Sequence, residues 1–337
     1  MELQDHSENI RKILEILKSK QTFVLTSHIN PDGDGLGSEL ALYKILSRLN
    51  KEARIINVSP LPANMDFLDP EDDLFDLFSP DDDRFILDAD VIFVLDISVM
   101  HRLGEIGEVI TKSNAIKICI DHHSTNSFPA DILYIDEEAV ATGELVYNLL
   151  LQSDFEIDEV IAEALYVSVL ADTGNFRFSN SNARIMRVCA DLLDIGINHN
   201  EIYRKMYESN SWKKILLFSK VLGTITREHD GKIAMMTLTQ DMFLETGTSF
   251  SEVEGFAEYP RSIKDVLVSV LISEHHGDSV KLSFRSVTDV RVDTVASKFG
   301  GGGHKNASAA LINGMDIEEA REKVLDAVKT YLIENNH

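Results

Sequence analysis

Cysteine is scarce in this chain, because only two of its 337 residues, Cys119 and Cys189, are cysteines. Each lies in an apolar stretch, and the two do not have the short spacing of zinc ligands. This scarcity excludes a disulfide scaffold and a cysteine-based zinc site. We predict that each cysteine is a small buried hydrophobic residue.

Long apolar runs are also absent. No segment approaches the roughly 20 consecutive apolar residues that a membrane-spanning helix needs. The first residues, Met1 to Asp5, contain neither the basic nor the apolar segment of a secretion signal. We therefore expect a cytoplasmic protein that does not bind membranes.

Positive charge is in short supply, since 32 lysines and arginines face 56 aspartates and glutamates, for a net charge of −24. Such a surface repels a phosphate backbone, which argues against sequence-independent binding to long duplex nucleic acid. A small anionic substrate can still bind where metal ions or a few basic residues reverse the local sign. Much of the acidic excess lies in the segment 61–90, which we expect to be a solvated loop.

The remaining pattern predicts an α/β protein with two domains. Nearly continuous apolar runs at 91–96 and 115–121 are typical of parallel strands that are covered on both faces. We predict an N-terminal parallel-sheet domain over 1–195, a helical linker over 196–221 and a smaller C-terminal α/β domain over 222–337. Further predicted helices are 8–19, 39–49, 142–151, 159–170, 183–195, 200–221, 292–299 and 317–333, and further strands are 22–27, 54–58, 224–227, 232–238, 266–273 and 279–286.

A polar loop between the first strand and the following helix carries His28, Asp32 and Asp34. Pro31 and three glycines allow a tight turn, so these side chains can converge at the edge of the sheet. In α/β proteins ligand-binding sites lie at this edge. An imidazole with carboxylates suits a divalent ion such as Mn²⁺, with Mg²⁺, Fe²⁺ or Co²⁺ as alternatives. The other interpretation is an ordinary Asp-Gly turn beside a surface histidine.

Three more segments place polar residues directly after buried elements. Asp96 ends one predicted strand, Asp121-His122-His123 ends the next, and Asp172 lies at the end of a predicted helix. Asp96 could bridge to an ion held by the first loop, although a helix cap is the alternative. Two adjacent imidazoles after a buried strand rarely serve packing, so we predict that one binds metal and the other faces substrate.

The C-terminal domain contains a run of four glycines at 300–303. Glycines let backbone N–H groups approach an anion closely, which is typical of a phosphate-binding segment; a plain flexible turn is the alternative. Arginine adds bidentate donors for phosphate oxygens. The side chains that could contribute are Arg261, Arg285, Lys298, His304, Lys305 and Asn306.

In this order the motifs resemble the DHH phosphoesterase superfamily, which is named after the triplet found here at 121–123. The segments that resemble its other motifs are His28-x3-Asp32-x-Asp34, Asp96, Asp172-Thr173-Gly174, and Gly301 to His304 after Ser283 to Ser286, the last being the signature of the DHH-associated C-terminal domain. The resemblance covers nearly the whole chain. Gly35 departs from it, because alanine or another small residue is common there, and so does Ala309, where glycine is usual.

The resemblance implies a role for each residue. It implies two divalent metal ions, with Mn²⁺ as the first choice: His28, Asp32 and Asp96 would hold one, and Asp34, Asp96, His122 and Asp172 the other. Asp121 would orient the histidine pair and His123 would face the scissile phosphate, which makes His123, Asp96 and Asp121 the catalytic residues. The residues implied to bind substrate are Arg261, Arg285, Gly301, Gly302, Gly303, His304 and Lys305.

Two domains of this size resemble the stand-alone NrnA group of nanoRNases and pAp phosphatases. The resemblance implies a hydrolase that cleaves short single-stranded RNA to mononucleotides and also acts on pAp. Hydrolysis of pApA or cyclic dinucleotides stays open at this point. So do a non-catalytic nucleotide sensor, a scaffold protein that binds through the acidic segment, and a homodimer.

Overall fold

The computed structural model describes residues 6–97, 99–123, 127–253, 255–275, 277–287 and 289–336, apart from the side chain of His304. It divides into two compact units, Met1–Ser209 and Asn210–His337. This division falls inside the segment 196–221, and the exact limits of the domains and of the linker stay a prediction.

The first unit is built on a parallel sheet of six strands, as the apolar runs predicted. The strands are β1 (Thr22–Thr26), β2 (Glu52–Asn57), β3 (Phe75–Leu77), β4 (Val91–Leu95), β5 (Ile116–Asp121) and β6 (Ile132–Ile135), and they pair in the order β3-β2-β1-β4-β5-β6. β1 and β4 lie next to each other, and β5 lies beside β4, so the segments that follow these strands meet at one edge of the sheet.

Helices cover both faces of this sheet. They are α1 (Ser7–Ser19), α2 (Gly33–Arg48), α3 (Asp83–Asp88), α4 (Ile106–Lys112), α5 (Thr142–Leu151), α6 (Glu159–Thr173), α7 (Ala183–Ile195) and α8 (His199–Tyr207). Alternate residues of one strand serve different cores: Phe93 packs with α1, α2 and α5 to α7, whereas Val94 packs with α3 and α4. Burial on both faces is why these strands have no polar alternation. Cys119 and Cys189 are buried and form no disulfide bond, which confirms the prediction for them.

Helices α2 and α6 pack unusually closely, and two glycines of α2 make this contact. A Cβ atom on Gly37 would lie 2.3 Å from the carbonyl oxygen of Ala164, and one on Gly33 would lie 2.9 Å from the Cβ atom of Ala171. Backbone atoms cannot move aside as a long side chain can. The glycines therefore bring the first turn of α2 against α6.

The acidic segment 61–90 is not the solvated loop that we expected. It forms a 3₁₀ helix (Ala63–Leu68), the edge strand β3, a 3₁₀ turn (Pro80–Asp82) and α3. Asp69 is buried and accepts hydrogen bonds from three backbone N–H groups, and Arg54 pairs with both Asp76 and Asp82. Because several of these carboxylates satisfy local donors, the segment folds onto the sheet despite its charge.

The second unit is a mixed six-stranded sheet, again with helices on both faces. Its strands are β7 (Thr226–Glu228), β8 (Ile233–Leu238), β9 (Val268–Glu274), β10 (Ser279–Ser286), β11 (Gly302–His304) and β12 (Ala307–Asn313), in the order β11-β12-β10-β9-β8-β7. Only the β8–β9 pair is parallel among these described strands. Its helices are α9 (Trp212–Leu222), α10 (Gln240–Thr246), α11 (Val292–Ser297) and α12 (Ile317–Glu334), with a 3₁₀ helix at Phe256–Ser262.

Two predicted elements are wrong. The helix expected over 200–221 is two helices, because α8 ends at Tyr207 and the side chain of Ser211 caps α9 by accepting a hydrogen bond from the N–H of Lys214 at 3.0 Å. The glycine run was expected to be a loop, yet its second half is β11, which pairs with β12. None of the helices in the described ranges has the length and apolarity needed to cross a membrane.

Candidate metal centre and phosphate-binding residues

The carboxyl edge of the first sheet gathers all the histidines and aspartates that the sequence singled out in the first unit. Potential ligand atoms within 4.8 Å of one another form three groups, namely His28, Asp32 and Asp96; Asp34, His122 and Asp172; and Asp96, His122 and His123. The first group is the first ligand set that the family resemblance implied, and the second group contains the second set except Asp96. Their function as ligands stays a prediction.

The first group joins the β1–α2 loop to the end of β4. Nε2 of His28 lies 3.3 Å from Oδ2 of Asp96 and 3.9 Å from Oδ2 of Asp32. Nδ1 of His28 is 2.9 Å from the carbonyl oxygen of Ile29, so Nδ1 is the nitrogen that donates a hydrogen. In the neutral ring Nε2 then presents its lone pair to the carboxylates, which is the orientation of a metal ligand.

The second group has the same arrangement. Nε2 of His122 lies 2.9 Å from Asp172 Oδ2 and 3.6 Å from Asp34 Oδ2, while its Nδ1 is 3.3 Å from the carbonyl oxygen of Ala139. A carbonyl oxygen can only accept, so this contact again assigns the hydrogen to Nδ1. Two histidines with the same tautomer and with Nε2 directed at carboxylate oxygens fit a pair of divalent cations.

Asp96 lies between the two groups. Its Oδ2 faces His28, and its Oδ1 lies 3.7 Å from Nε2 of His122. The backbone of Asp96 is left-handed, with φ of 56°, a conformation that aspartate tolerates better than most residues. This turn at the end of β4 directs a buried carboxylate into the cluster, with one oxygen on each side.

Asp34 is fully buried in the first turn of α2, and its carboxylate is held by neighbouring donors. The N–H groups of Thr142 and Gly143, at the start of α5, donate to it at 2.8 and 3.0 Å, and the hydroxyl of Ser168 donates as well. We did not predict these three anchors from the sequence. The only signal was that Thr142 and Gly143 begin a helix, where N–H groups are free to bind an anion.

Burial and mutual repulsion raise the pKa values of the central carboxyls. Burial, followed by the charge of Asp172, raises the pKa of Asp34 to about 7, and burial, followed by Asp34 and Asp32, raises the pKa of Asp96 well above its usual range. Burial lowers the pKa of His122, but the hydrogen bond to Asp172 and the charge of Asp34 outweigh it and raise this pKa to about 11. The cluster therefore requires compensating positive charge, which a divalent cation would supply.

His123 is held differently from His122. Its Nδ1 lies 2.6 Å from Oδ1 of Asp121, a fully buried carboxylate at the end of β5. We expected Asp121 to orient both histidines, but His122 instead contacts the carbonyl of Ala139. The pairing with Asp121 fixes the orientation of the His123 ring.

A buried network that we did not predict lies behind His28. Asn57, at the end of β2, donates to Glu39 at 2.9 Å and accepts from the N–H of Ser27 at 2.9 Å. Glu39 is fully buried, and burial raises its pKa to about 8. The network joins α2 to the residue immediately before His28.

The hydroxyl of Ser27 explains the glycine at position 35. A Cβ atom on Gly35 would lie 2.2 Å from Ser27 Oγ and 3.0 Å from Ser27 Cβ. The family resemblance led us to expect alanine or another small residue at position 35. In this chain the hydroxymethyl group of Ser27 occupies the space of that methyl group, so glycine alone fits without movement.

In the second unit, two of the cations predicted to bind substrate share one carboxylate. Glu258 accepts from Nε of Arg285, and its Oε2 lies 3.0 Å from Nη2 of Arg261. Lys305 instead pairs with the exposed Asp289 at 2.8 Å.

Near the glycine strand, Asn306 donates to Ser286 and to the carbonyl of Val290, so its amide has a structural function rather than the anion-binding one that we considered. The side chain of His304 lies outside the described residues. Gly301 to Gly303 form the start of the hairpin, and Gly302 has no atom within 4 Å of the position of a Cβ atom.

Comparisons with known proteins cover nearly the whole chain. Residues 22–169 match the DHH family, N-terminal domain, and residues 230–334 match the DHHA1 domain. The bifunctional oligoribonuclease and PAP phosphatase NrnA of Thermus thermophilus is 30% identical over 332 residues, which span 96% of this chain and 95% of that protein. The protein of the same name from Bacillus subtilis is 26% identical, over 90% of this chain and 94% of its own.

A solved structure has the same fold throughout. The crystal structure of an exopolyphosphatase-related protein from Bacteroides fragilis matches with a TM-score of 0.93 and 29% identity, over 98% of each chain. RecJ of Thermus thermophilus, solved in complex with Mn²⁺, matches with a TM-score of 0.57 and 11% identity, over 98% of this chain and 55% of RecJ. The second likeness concerns the fold alone.

Proposed function

This chain belongs to the DHH family of phosphoesterases, and we propose that it hydrolyses short RNA oligonucleotides to mononucleotides and removes the 3′-phosphate from pAp. The observation that carries the proposal is the cluster in which the Nε2 atoms of two histidines face four aspartates, in a chain that NrnA-type relatives match over 94–95% of their own length. We further propose that the first unit holds two divalent ions, with Mn²⁺ as the first choice.

The donor chemistry supports this assignment. His28, Asp32 and Asp96 would hold one ion and Asp34, Asp96, His122 and Asp172 the other, because each set combines imidazole nitrogens with carboxylate oxygens. Such ions, when bound, lower the pKa of a water molecule and neutralise the charge of a phosphate. Removal of one carboxylate from a shared position should therefore affect both ions.

The other residues bind and orient the substrate. His123, oriented by Asp121, would donate a hydrogen to the leaving oxygen. Arg285, Arg261 and Lys305 would bind a phosphate of the nucleotide, with N–H groups from Gly301 to His304. Such a site recognises the end of a strand rather than its interior, which favours short oligonucleotides.

The net charge supports a narrow range of partners. At −24 the surface disfavours long duplexes, so we propose that single-stranded ends and small nucleotides are the substrates. We also propose that the enzyme acts in the cytoplasm without a membrane partner. A homodimer is a further proposal, and light scattering after size-exclusion chromatography measures it directly.

The test compares initial rates with Mn²⁺ on a 5′-phosphorylated RNA dinucleotide, an RNA 24-mer, pAp, cyclic di-AMP and pyrophosphate. We expect fast cleavage of the dinucleotide, slow cleavage of the 24-mer, and release of phosphate from pAp. Activity confined to cyclic di-AMP would make this a phosphodiesterase of cyclic dinucleotides. Inactivity on every substrate, with metal bound, would instead indicate a nucleotide sensor.

A further inference from the structure

Glu258 lies between two arginines in the second unit. It is part of the 3₁₀ helix Phe256–Ser262, as is Arg261, whereas Arg285 comes from strand β10. One carboxylate oxygen accepts from Nε of Arg285, and the other lies 3.0 Å from Nη2 of Arg261. The carboxylate thus lets two guanidinium groups approach one another without direct repulsion.

The helix that carries Glu258 is packed on the sheet. Phe256 and Ala257 are buried, and the hydroxyl of Ser269 on β9 donates to the carbonyl of Ala257 at 2.8 Å. The carboxylate is therefore held by the backbone of a helix that is packed on the sheet. A side chain on such a support can fix the position of its partners.

Arg285 is anchored from two sides. Its Nε donates to Glu258, and its Nη1 donates to the carbonyl of Phe284 at 2.9 Å. A guanidinium has five N–H donors, and these two bonds are the only ones that the side chain of Arg285 makes within the part of the chain that the structure describes. The orientation of the group is fixed, while the Nη2 end is left to bind a ligand.

The exposure of the cluster also suits an anion. The two guanidinium groups and the carboxylate between them keep between 20% and 28% of their side-chain surface exposed. Partial burial strengthens the attraction for a phosphate relative to a fully solvated pair of arginines.

We propose that Glu258 is a positioning residue for the phosphate of a nucleotide ligand, which holds Arg261 and Arg285 side by side and directs the Nη2 end of Arg285 at that phosphate. The inference rests on the proposed function, because it takes these arginines as substrate ligands. A carboxylate beside a phosphate site could instead compete with the ligand, and the two roles have opposite consequences for affinity.

The test is the binding of 5′-AMP to the full chain in EDTA, measured by calorimetry, so that metal ions do not contribute. We expect Glu258→Ala to raise the Kd about tenfold and the KM for the RNA dinucleotide by a similar factor, with kcat changed less than twofold. Glu258→Gln should raise the Kd less, because the amide oxygen still accepts from Arg285 while its NH₂ group cannot accept from Arg261.

A matched control comes from Glu228. Its side chain has the same exposed fraction, 28%, as that of Glu258, and it pairs with Arg321 in the same unit at 3.0 Å. Among the described residues it does not contact Arg285. Glu228→Ala should leave the Kd for 5′-AMP unchanged, which separates the effect of position from loss of charge. Thermal unfolding of each variant checks that the second unit remains folded.

The outcomes separate two hypotheses, namely that Glu258 positions the arginines and that Arg285 binds substrate. A lower Kd in the Glu258 variants would show that the carboxylate competes with the ligand. An unchanged Kd would show that Glu258 has no effect on binding. Either result overturns the inference. Arg285→Ala tests the underlying assignment. If it leaves both Kd and KM unchanged, the assignment of Arg285 to substrate binding fails, whereas weaker binding in Arg285→Ala alone would refute only the role of Glu258.

Discussion

Asp96 combines a left-handed backbone, full desolvation and two oxygens that face different histidines. Each of these properties is unfavourable without a counter-charge, because a buried carboxylate near other carboxylates resists ionisation. The residue therefore weakens the metal-free fold at the place where it would bind cations best.

Asp96→Asn tests this balance, since asparagine also tolerates a left-handed backbone. We expect the metal-free variant to be more stable than the wild type by about 1–2 kcal/mol, because a repelled and desolvated charge is removed. Mn²⁺ affinity and kcat should each fall at least about a hundredfold. Denaturation in EDTA, calorimetry with Mn²⁺ and dinucleotide hydrolysis measure the three effects; activity like that of the wild type would contradict the metal assignment.

Glu39 provides a prediction about pH. Burial raises its pKa from 4.5 to about 8, so the folded protein binds this proton more tightly than the unfolded chain does. Stability contributed by the protonated form is therefore lost as the pH rises from about 4.5 to about 8. Glu39→Gln keeps an acceptor for Asn57 and removes the titration.

The measurement is the free energy of unfolding in EDTA for the wild type and Glu39→Gln at several pH values. The free energy of unfolding of the variant should increase relative to that of the wild type as the pH rises from 5 to 9. The increase should be at most about 5 kcal/mol, which is the equivalent of the pKa difference. A difference that does not change with pH would show that Glu39 is not protonated in the folded state. Comparison of the two proteins cancels the titration of the neighbouring aspartates.

For single residues, the sequence predicts which histidines and aspartates lie together, but not the residues that hold them in place. His28, Asp96 and Asp172 stood out because each polar group follows a buried element. Ser168 and Glu258 did not, because one serine inside an apolar helix and one glutamate among many acidic residues have no local pattern. Ser168 contacts Asp34 and Glu258 contacts Arg285, both distant in sequence, and only the fold brings these pairs together.

Two neighbouring glycines at the start of β11 differ in the space around them. A Cβ atom on Gly301 would lie 2.1 Å from the carbonyl oxygen of Ala309, whereas one on Gly302 would meet no atom within 4 Å. The first glycine is therefore needed by the fold, and the second leaves open space that a ligand can use.

Gly301→Ala and Gly302→Ala should consequently behave differently. We expect Gly301→Ala to destabilise the protein by roughly 2–4 kcal/mol, because the hairpin has to move. Gly302→Ala should keep the wild-type melting temperature and raise the KM for the dinucleotide severalfold, since its methyl group meets only the substrate. A wild-type KM for Gly302→Ala would contradict phosphate binding along this strand.

At the element scale, prediction succeeded where one rule dominates. Strand β4 is apolar throughout and β5 nearly so because both faces are covered, and Asp230-Gly231 marks the turn between the strands predicted at 224–227 and 232–238. It failed where rules compete. Residues 208–211 contain no glycine or proline that would mark a helix end, but Ser211 accepts from a backbone N–H and caps a new helix. The glycine run gains strand geometry only by pairing with β12.

The two units have separate hydrophobic cores. The described core residues up to Met206 form two clusters, and those from Leu217 onward form two others, with no cluster shared between the units. A chain with separate cores should come apart into separately folding pieces. The acidic excess, by contrast, is a property of the whole chain and does not determine the fold.

A fragment comprising residues 1–209 should fold alone. We expect a cooperative thermal transition and Mn²⁺ affinity within about threefold of the full chain, because every predicted metal ligand lies in this unit. Cleavage of the dinucleotide should be strongly impaired, since the predicted phosphate ligands are absent. Circular dichroism and calorimetry test this, and a fragment without a cooperative transition would show that the second unit is required for folding.

Ser27 and Gly35 restrict how this sequence can change through time. The hydroxymethyl group at position 27 occupies the space that a methyl group at position 35 would need. Alanine at 35 is therefore harmful while serine remains at 27, and a lineage that moves to alanine has to lose or turn away that hydroxyl first. The two positions share one volume, so the cost of alanine at position 35 depends on the residue at position 27.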